Sequence, residues 1–109
     1  MNMHATSNSL FGKWQHDYDF QNYMASLYRP GSHEAATTYI LPDGKWCLML
    51  DFFGCEKEKM GYVPFISEKA GDAHFHQVNQ LFSFPYGFKH GGVIEISDEE
   101  YERLSVSAF

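Results

Sequence analysis

The sequence predicts an α+β fold, a small single domain with a mainly antiparallel sheet. The first observation is a central β-hairpin over residues 37–53, in which two runs of β-branched, aromatic and apolar residues flank a Pro-Asp-Gly turn. The second is a pair of predicted helices, one before the hairpin at about 20–28 and a short one after it at about 98–105. Helices outside a set of consecutive strands are typical of the α+β class.

The hairpin has the clearest local signals in the chain. Pro42 fixes φ near the value that the second position of a turn requires, and Gly44 accepts a positive φ without steric cost. The strands are therefore predicted near 37–41 and 45–53. Alternation along the second strand places four apolar residues on one face: Trp46, Leu48, Leu50 and Phe52. Because the other face is mixed rather than polar, we expect an interior strand.

The first helix is predicted from apolar residues at the spacing of one helix face: Phe20, Tyr23, Met24, Leu27 and Tyr28. Asp19 is the predicted N-cap, and the helix should end before Pro30, because the residue preceding a proline avoids helical ψ. Residues 1–10 are rich in Ser and Asn and are predicted to form a flexible arm. Residues 11–109 are predicted to form a single domain.

The second half of the chain has less regular signals. A strand is predicted at 60–66, and because Pro64 has no N–H, this strand should lie at a sheet edge or contain a bulge. Residues 73–84 fit a strand or a helix, and the cleaner apolar set of the helix favours that interpretation. A short strand is predicted at 93–96. Ser97 and Glu100 then form a capping box that begins the last helix.

Composition limits the classes of partner. The 109 residues include 14 acidic and 8 basic side chains, and this formal charge of −6 argues against direct binding to nucleic acid or to an anionic membrane. Such a charge steers a basic protein toward the surface, or simply keeps the domain soluble. No secretory signal pattern or bilayer-spanning apolar run occurs, which predicts a cytoplasmic protein with reduced thiols at Cys47 and Cys55.

No residue pattern predicts a catalytic site or a cofactor. The segment from His33 begins like the zinc-binding HExxH motif but has Thr37 in place of the second histidine. Cys47 lies in the most apolar strand, which favours a buried structural role. Residues 87–92 are rich in glycine but match neither of the phosphate-binding motifs, so a wide turn is the favoured interpretation.

The leading functional hypothesis is a non-enzymatic, acidic inhibitor that binds a larger basic effector and occupies its nucleic-acid groove. Immunity proteins and phage anti-defence proteins share this size and acidity, which is an analogy of gross properties. The predicted contact residues are two aromatic residues and three acids: Tyr86, Phe88, Asp98, Glu99 and Glu102. A homodimer through the strand that contains Pro64, or through the aromatic loop 82–88, is also compatible with the sequence.

The alternative hypothesis is a domain that binds a small molecule or a metal ion through three histidines: His74, His76 and His90. No acidic or cysteine ligand accompanies them at a recognised spacing. Ordinary surface histidines are therefore the favoured interpretation, and no metal ligand is predicted.

Overall fold

The computed structural model describes residues 2–27, 31–57, 60–79 and 89–107. In chain order its elements are β1 Ala5–Thr6, β2 Gln15–His16, α1 Tyr18–Leu27, β3 Ser32–Ile40, β4 Trp46–Phe53, β5 Gly61–Ser67, β6 His76–Gln77 and α2 Asp98–Ser107. The strands form two antiparallel sheets, β1-β2 and β3-β4-β5-β6. The predicted α+β class with a mainly antiparallel sheet is confirmed.

Strand β4 lies between β3 and β5 and separates two apolar clusters. One cluster covers the face of the sheet that packs against α1, here called the helix-side face: Phe20, Met24, Leu48, Leu50, Phe52, Val63, Phe65 and Phe75. The second cluster covers the opposite face: Cys47, Met49, Ile66 and Val78, with Tyr39, Leu41 and Tyr62 partly buried against it. The expected interior strand is confirmed, because β4 is buried on both sides.

The hairpin turn forms as its residues predict. Gly44 adopts a φ of 87° and donates its N–H to the Leu41 carbonyl at 2.9 Å. Strand β3, however, begins at Ser32 rather than near residue 37. The pairing with β4 shifts between Glu34 and Thr37, where Ala35 has a φ of 54°. This bulge interrupts the alternation of apolar and polar residues, which is why the pattern did not indicate a strand there.

Helix α1 agrees with the predicted helix to within two residues at its start, but its cap is different. The N–H of Phe20 donates to Oδ1 of Asp17 at 3.0 Å, so Asp17 is the N-cap. Asp19 was predicted in that role and instead lies within the first turn. Phe20 and Met24, four residues apart, are the helix residues buried against the sheet.

The prediction that the strand containing Pro64 lies at a sheet edge or contains a bulge is wrong. Strand β6 pairs with β5 at Phe65 and Ile66, and the register between β5 and β4 is continuous. The Pro64 carbonyl accepts the N–H of Val78 at 3.1 Å, so the backbone polar groups of Pro64 point toward the β6 side. The missing N–H therefore removes no hydrogen bond between β4 and β5. The proline is tolerated because β6 is only two residues long.

Two other predicted elements differ from the structure. Within 73–84, the described residues 73–79 contain β6 and no α-helix, and 80–84 lie outside the described ranges. Residues 93–96 form no strand. The last helix is confirmed as α2, and its capping box forms as predicted, with the Ser97 N–H donating to Glu100 Oε2 at 2.8 Å and the Glu100 N–H to Ser97 Oγ at 3.2 Å.

The N-terminal residues contact the apolar cluster on the helix-side face, which we call the helix-side cluster. Strand β1 lies within residues 1–10, and the His4 ring centroid lies 5.8 Å from that of Phe20 and 6.3 Å from that of Trp46. The division into an arm and a domain over 11–109 stays a prediction. Within the described residues, no helix has the length and apolar character needed to cross a membrane.

Candidate functional site

A groove of about 450 Å³ opens on the helix side of the sheet, between the start of α1 and residues 73–75. Its lining combines apolar rings with charged groups: Asp17, Asp19, Phe20, Tyr23, Ala73, His74 and Phe75. The floor is built from packed aromatic rings: the ring centroids of Phe20 and Phe75 lie 6.1 Å apart in an edge-to-face arrangement, and those of Trp46 and Phe75 lie 5.0 Å apart. The charged groups lie around this floor.

On the α1 side of the groove, Asp17 has a fixed structural role. One carboxylate oxygen accepts the Phe20 N–H, and the other lies 3.0 Å from Nδ1 of His4. The hydrogen bond from the Phe20 N–H, together with His4, lowers the pKa of Asp17 below its ordinary value despite partial burial. Asp17 therefore stays ionised. Asp19, one position into the helix, is exposed and accessible to a ligand.

On the other side of the groove, His74 is paired with Asp72. Their Nδ1 and Oδ1 atoms are 2.6 Å apart. The Asp72 carboxylate raises the pKa of His74 by hydrogen bonding and by charge, and the charges of Asp17 and Asp19 across the groove add to this effect. The His74 side chain is 89% exposed, so it presents its proton to solvent and to any bound molecule.

A second group of clustered polar side chains lies on the opposite face of the sheet. Nε2 of His90 is 3.4 Å from Oε1 of Glu34 and 3.4 Å from Oδ2 of Asp51. One ligand atom from each of the three residues lies within 4.8 Å of the others, and we call this set the carboxylate–imidazole cluster. The Asp51 side chain is 1% exposed, and its oxygens accept no hydrogen bond from the residues that the structure describes.

The fold positions this cluster through register and a loop anchor. Glu34 and Asp51 are direct partners in the β3–β4 pairing, on the last paired position before the bulge. The segment that carries His90 is held by the Gly91 carbonyl, which accepts the Thr37 hydroxyl at 2.7 Å and the Tyr62 hydroxyl at 3.0 Å. The cluster thus depends on three separate segments of the chain.

The residues predicted to bind a partner are distributed differently. Tyr86 and Phe88 lie outside the described residues. Asp98, Glu99 and Glu102 are exposed on α2, and the first two lie in its first turn. Partner binding by these residues, a basic protein partner and a homodimer stay predictions.

The three histidines of the alternative hypothesis do not form one site. His90 belongs to the carboxylate–imidazole cluster, His74 pairs with Asp72 at the groove, and His76 lies in β6. The sequence analysis predicted none of Asp19, Glu34 and Asp51 as a site residue, although Asp19 was predicted as a helix cap. For Asp51 a signal existed, since it is a single charged residue inside an otherwise apolar buried strand.

Comparison with known families gives one result. Residues 2–102 match the sequence profile of a family described as a probable glycosyl hydrolase domain. The matched range includes the groove and the carboxylate–imidazole cluster. No curated protein and no solved structure matches the chain.

This match overturns the functional hypothesis based on charge. The predictions of a non-enzymatic inhibitor, of an immunity or anti-defence protein and of a three-histidine binding domain are wrong, because the profile indicates a carbohydrate-related function and an enzymatic role. The net charge was misleading because several acidic side chains bind groups within the protein and do not form a surface for a partner. Asp17 and Asp72 pair with histidines, and Glu100 caps a helix. The chain belongs to the family of probable glycosyl hydrolase domains.

Proposed function

We propose that the chain hydrolyses a glycosidic bond and that its substrate binds in the groove between α1 and residues 73–75. The observation that carries this proposal is the pairing of an aromatic floor with carboxylates on one side and a proton-bearing imidazole on the other. The family match supplies the chemical class, and the groove supplies groups suited to that class.

The groove suits a sugar ring. Its volume of about 450 Å³ falls within the range of small-molecule sites, roughly 300–1,000 Å³. A pyranose has an apolar C–H face and hydroxyl groups around its edge. Tyr23, which is partly exposed, offers ring surface to the C–H face above the buried Phe75, while the Asp19 carboxylate accepts hydrogen bonds from hydroxyl groups.

Glycoside hydrolysis requires an acid for the leaving oxygen and a base for the attacking water, roles that most families give to two carboxyl groups. We assign the acid to His74, because its raised pKa keeps it protonated to higher pH than an ordinary histidine. Asp19 is the base, since Asp17 is committed to the helix cap and to His4. An imidazole therefore replaces the usual carboxylic acid.

The proposed step balances as a hydrolysis. His74 gives its proton to the glycosidic oxygen while the bond from that oxygen to the anomeric carbon breaks. Water adds to the anomeric carbon and loses a proton to Asp19. Exchange of protons with solvent then restores His74 to its protonated state and Asp19 to its ionised state.

The other carboxylate pair is less suited to contact a sugar. Glu34 and Asp51 have oxygen atoms within 4.8 Å, close to the separation of about 5–5.5 Å in retaining glycosidases. Asp51, however, is 1% exposed beside His90 and is inaccessible to a substrate carbon. The groove, whose Asp19 and His74 are exposed, is therefore the better place for the reaction.

The test is a hydrolysis assay on a panel of oligosaccharides and aryl glycosides that measures released sugar. Asp19→Asn and His74→Gln should each lower kcat/KM by about 100-fold or more. Glu99→Gln and His76→Gln are the controls, because they likewise convert a carboxylate to an amide and a histidine to glutamine, at exposed positions outside the groove.

Wild-type rates in both groove variants would overturn the assignment of the site. Sugar binding observed by NMR without hydrolysis of any panel member would overturn the catalytic part.

In addition, we propose a cytoplasmic location, supported by the free thiols of Cys47 and Cys55, which are typical of a reducing compartment. Fractionation of the native host's cells tests that location.

A further inference from the structure

We propose that the carboxylate–imidazole cluster of Glu34, Asp51 and His90 binds a divalent metal ion, with Zn²⁺ as the best match to its ligands. This site lies on the opposite face of the sheet from the groove and does not depend on the hydrolytic function. It also differs from the three-histidine arrangement, because two of its three ligands are carboxylates.

The first argument is the burial of Asp51. Its side chain is 1% exposed, and neither oxygen accepts a hydrogen bond from any described residue. A buried carboxylate is costly unless it is paired with a cation or coordinates a metal. His90 supplies at most one positive charge, yet it faces two carboxylates at equal distances. A divalent cation would balance both.

The second argument is distance. The two separations of 3.4 Å from His90 Nε2 exceed the usual length of a charge-assisted hydrogen bond, about 2.7–2.9 Å. They match the separation of about 3.3 Å between two ligands in a tetrahedral zinc site with bonds of about 2.0–2.1 Å. Each carboxylate oxygen is thus already separated from the imidazole nitrogen as one zinc ligand is from another.

The remaining adjustment falls on a side chain that has room to move. Two ligands of one zinc ion lie no further apart than about 4.2 Å, which is twice the bond length. The three ligand atoms lie within 4.8 Å of one another, so a small approach of one carboxylate brings all three within the reach of one ion. Glu34 is 48% exposed and has three rotatable side-chain bonds, whereas Asp51 is fixed in the core. Closure by Glu34 therefore leaves the sheet undisturbed.

The ligand set selects the class of ion. Imidazole nitrogen with carboxylate oxygen is a common zinc set, whereas Mg²⁺ and Ca²⁺ prefer oxygen ligands alone. Three protein ligands leave one position of a tetrahedral ion for water. His90 is 56% exposed, so that position faces solvent. Thr37 and Tyr62 hold the adjacent Gly91 carbonyl, which supports the His90 backbone.

The experiment is a titration of the chelator-treated full chain with Zn²⁺, Mn²⁺, Mg²⁺ and Ca²⁺ by calorimetry. We expect one Zn²⁺ per chain, with weaker binding of the other ions. Asp51→Asn, and separately the surface double variant Glu34→Gln, His90→Gln, should weaken Zn²⁺ binding by more than the 10–100-fold typical of a supporting residue. His76→Gln is the control and should retain full affinity.

The double variant keeps the test valid if Asp51→Asn fails to fold, because both of its residues are about half exposed. Co²⁺ gives an independent readout, since a tetrahedral site produces intense visible absorption. Absence of stoichiometric Zn²⁺ binding, or full affinity in the double variant, would overturn the proposal. Neither result bears on sugar hydrolysis, which is assayed with the groove variants.

Discussion

Asp17 joins the N-terminal segment to helix α1 by binding His4 and capping the helix at the same time. Its Oδ2 lies 3.0 Å from His4 Nδ1, while its Oδ1 accepts the Phe20 N–H at 3.0 Å. Phe20 belongs to the helix-side cluster, and the His4 ring packs against it. By binding both residues, the Asp17 carboxylate fixes one wall of the groove.

We expect Asp17→Ala to lower the free energy of unfolding by about 1–2 kcal/mol, since an alanine removes the helix cap. Asp17→Asn, the control, retains an acceptor for the Phe20 N–H and should cost less. Urea unfolding at pH 7 measures both. Equal stability of Asp17→Ala and the wild type would show that the cap does not stabilise α1.

The same carboxylate predicts a change of stability in acid. The pKa of Asp17 is lowered in the folded protein, mainly by the Phe20 N–H, so its contribution is complete above the unfolded value of 3.8. That contribution is lost as pH falls through the lower folded pKa. Asp17→Asn should therefore reduce the loss of stability below pH 3.8, as measured by urea unfolding over a pH series. An unchanged pH profile would contradict this origin.

Ala35 stores backbone strain at the bulge that separates Glu34 from Thr37. Its φ of 54° is in the left-handed region, which costs a residue with a Cβ about 1–2 kcal/mol. Ala35→Gly should therefore raise the free energy of unfolding, by up to about 1 kcal/mol after the greater freedom of glycine in the unfolded chain is subtracted.

Ala36→Gly provides the matched comparison, because it makes the same change at the next residue of the same bulge. Ala36 has no positive φ, so glycine there should destabilise by about 0.5–1 kcal/mol. Thermal unfolding of both variants gives opposite signs if the bulge conformation is correct. The same sign in both would contradict it.

His33 predicts a loss of stability in mild acid. Its side chain is buried, and burial lowers its pKa below the ordinary 6.5. The unfolded chain then binds more protons than the folded one, so stability falls as pH drops below 6.5. His33→Gln should flatten this part of the stability–pH curve, while His76→Gln, at an exposed position, should leave it unchanged. An identical slope in His33→Gln and the wild type would refute the prediction.

The sequence correctly predicted the elements that are specified by residues close together in the chain. The Gly44 turn, the helical spacing around Met24 and the capping box at Ser97 all depend on residues a few positions apart. Strand β6 has only two residues, which is too few for a periodic pattern. The start of β3 was missed because a bulge lies inside it.

The functional sites could not be predicted because their residues come from distant segments. Asp51 meets Glu34 only through the register of β3 and β4, and His90 reaches them through the Gly91 anchor. Total charge gave no indication of these pairings. An acid count treats Asp51 as a surface charge, whereas the structure buries it beside an imidazole.

The pairing of His74 with Asp72 predicts how activity responds to pH. His74 is the proposed acid, so kcat/KM should fall as pH rises through its raised pKa, above the ordinary 6.5. Asp72→Asn keeps an acceptor for the His74 backbone N–H but removes the carboxylate, whose hydrogen bond to the imidazole and then its charge are the two largest causes of the raised pKa. The pKa of His74, followed by NMR, should move down toward 6.5, and the alkaline limb of the activity profile should move with it. If the NMR pKa falls but the activity profile stays in place, another group supplies the proton.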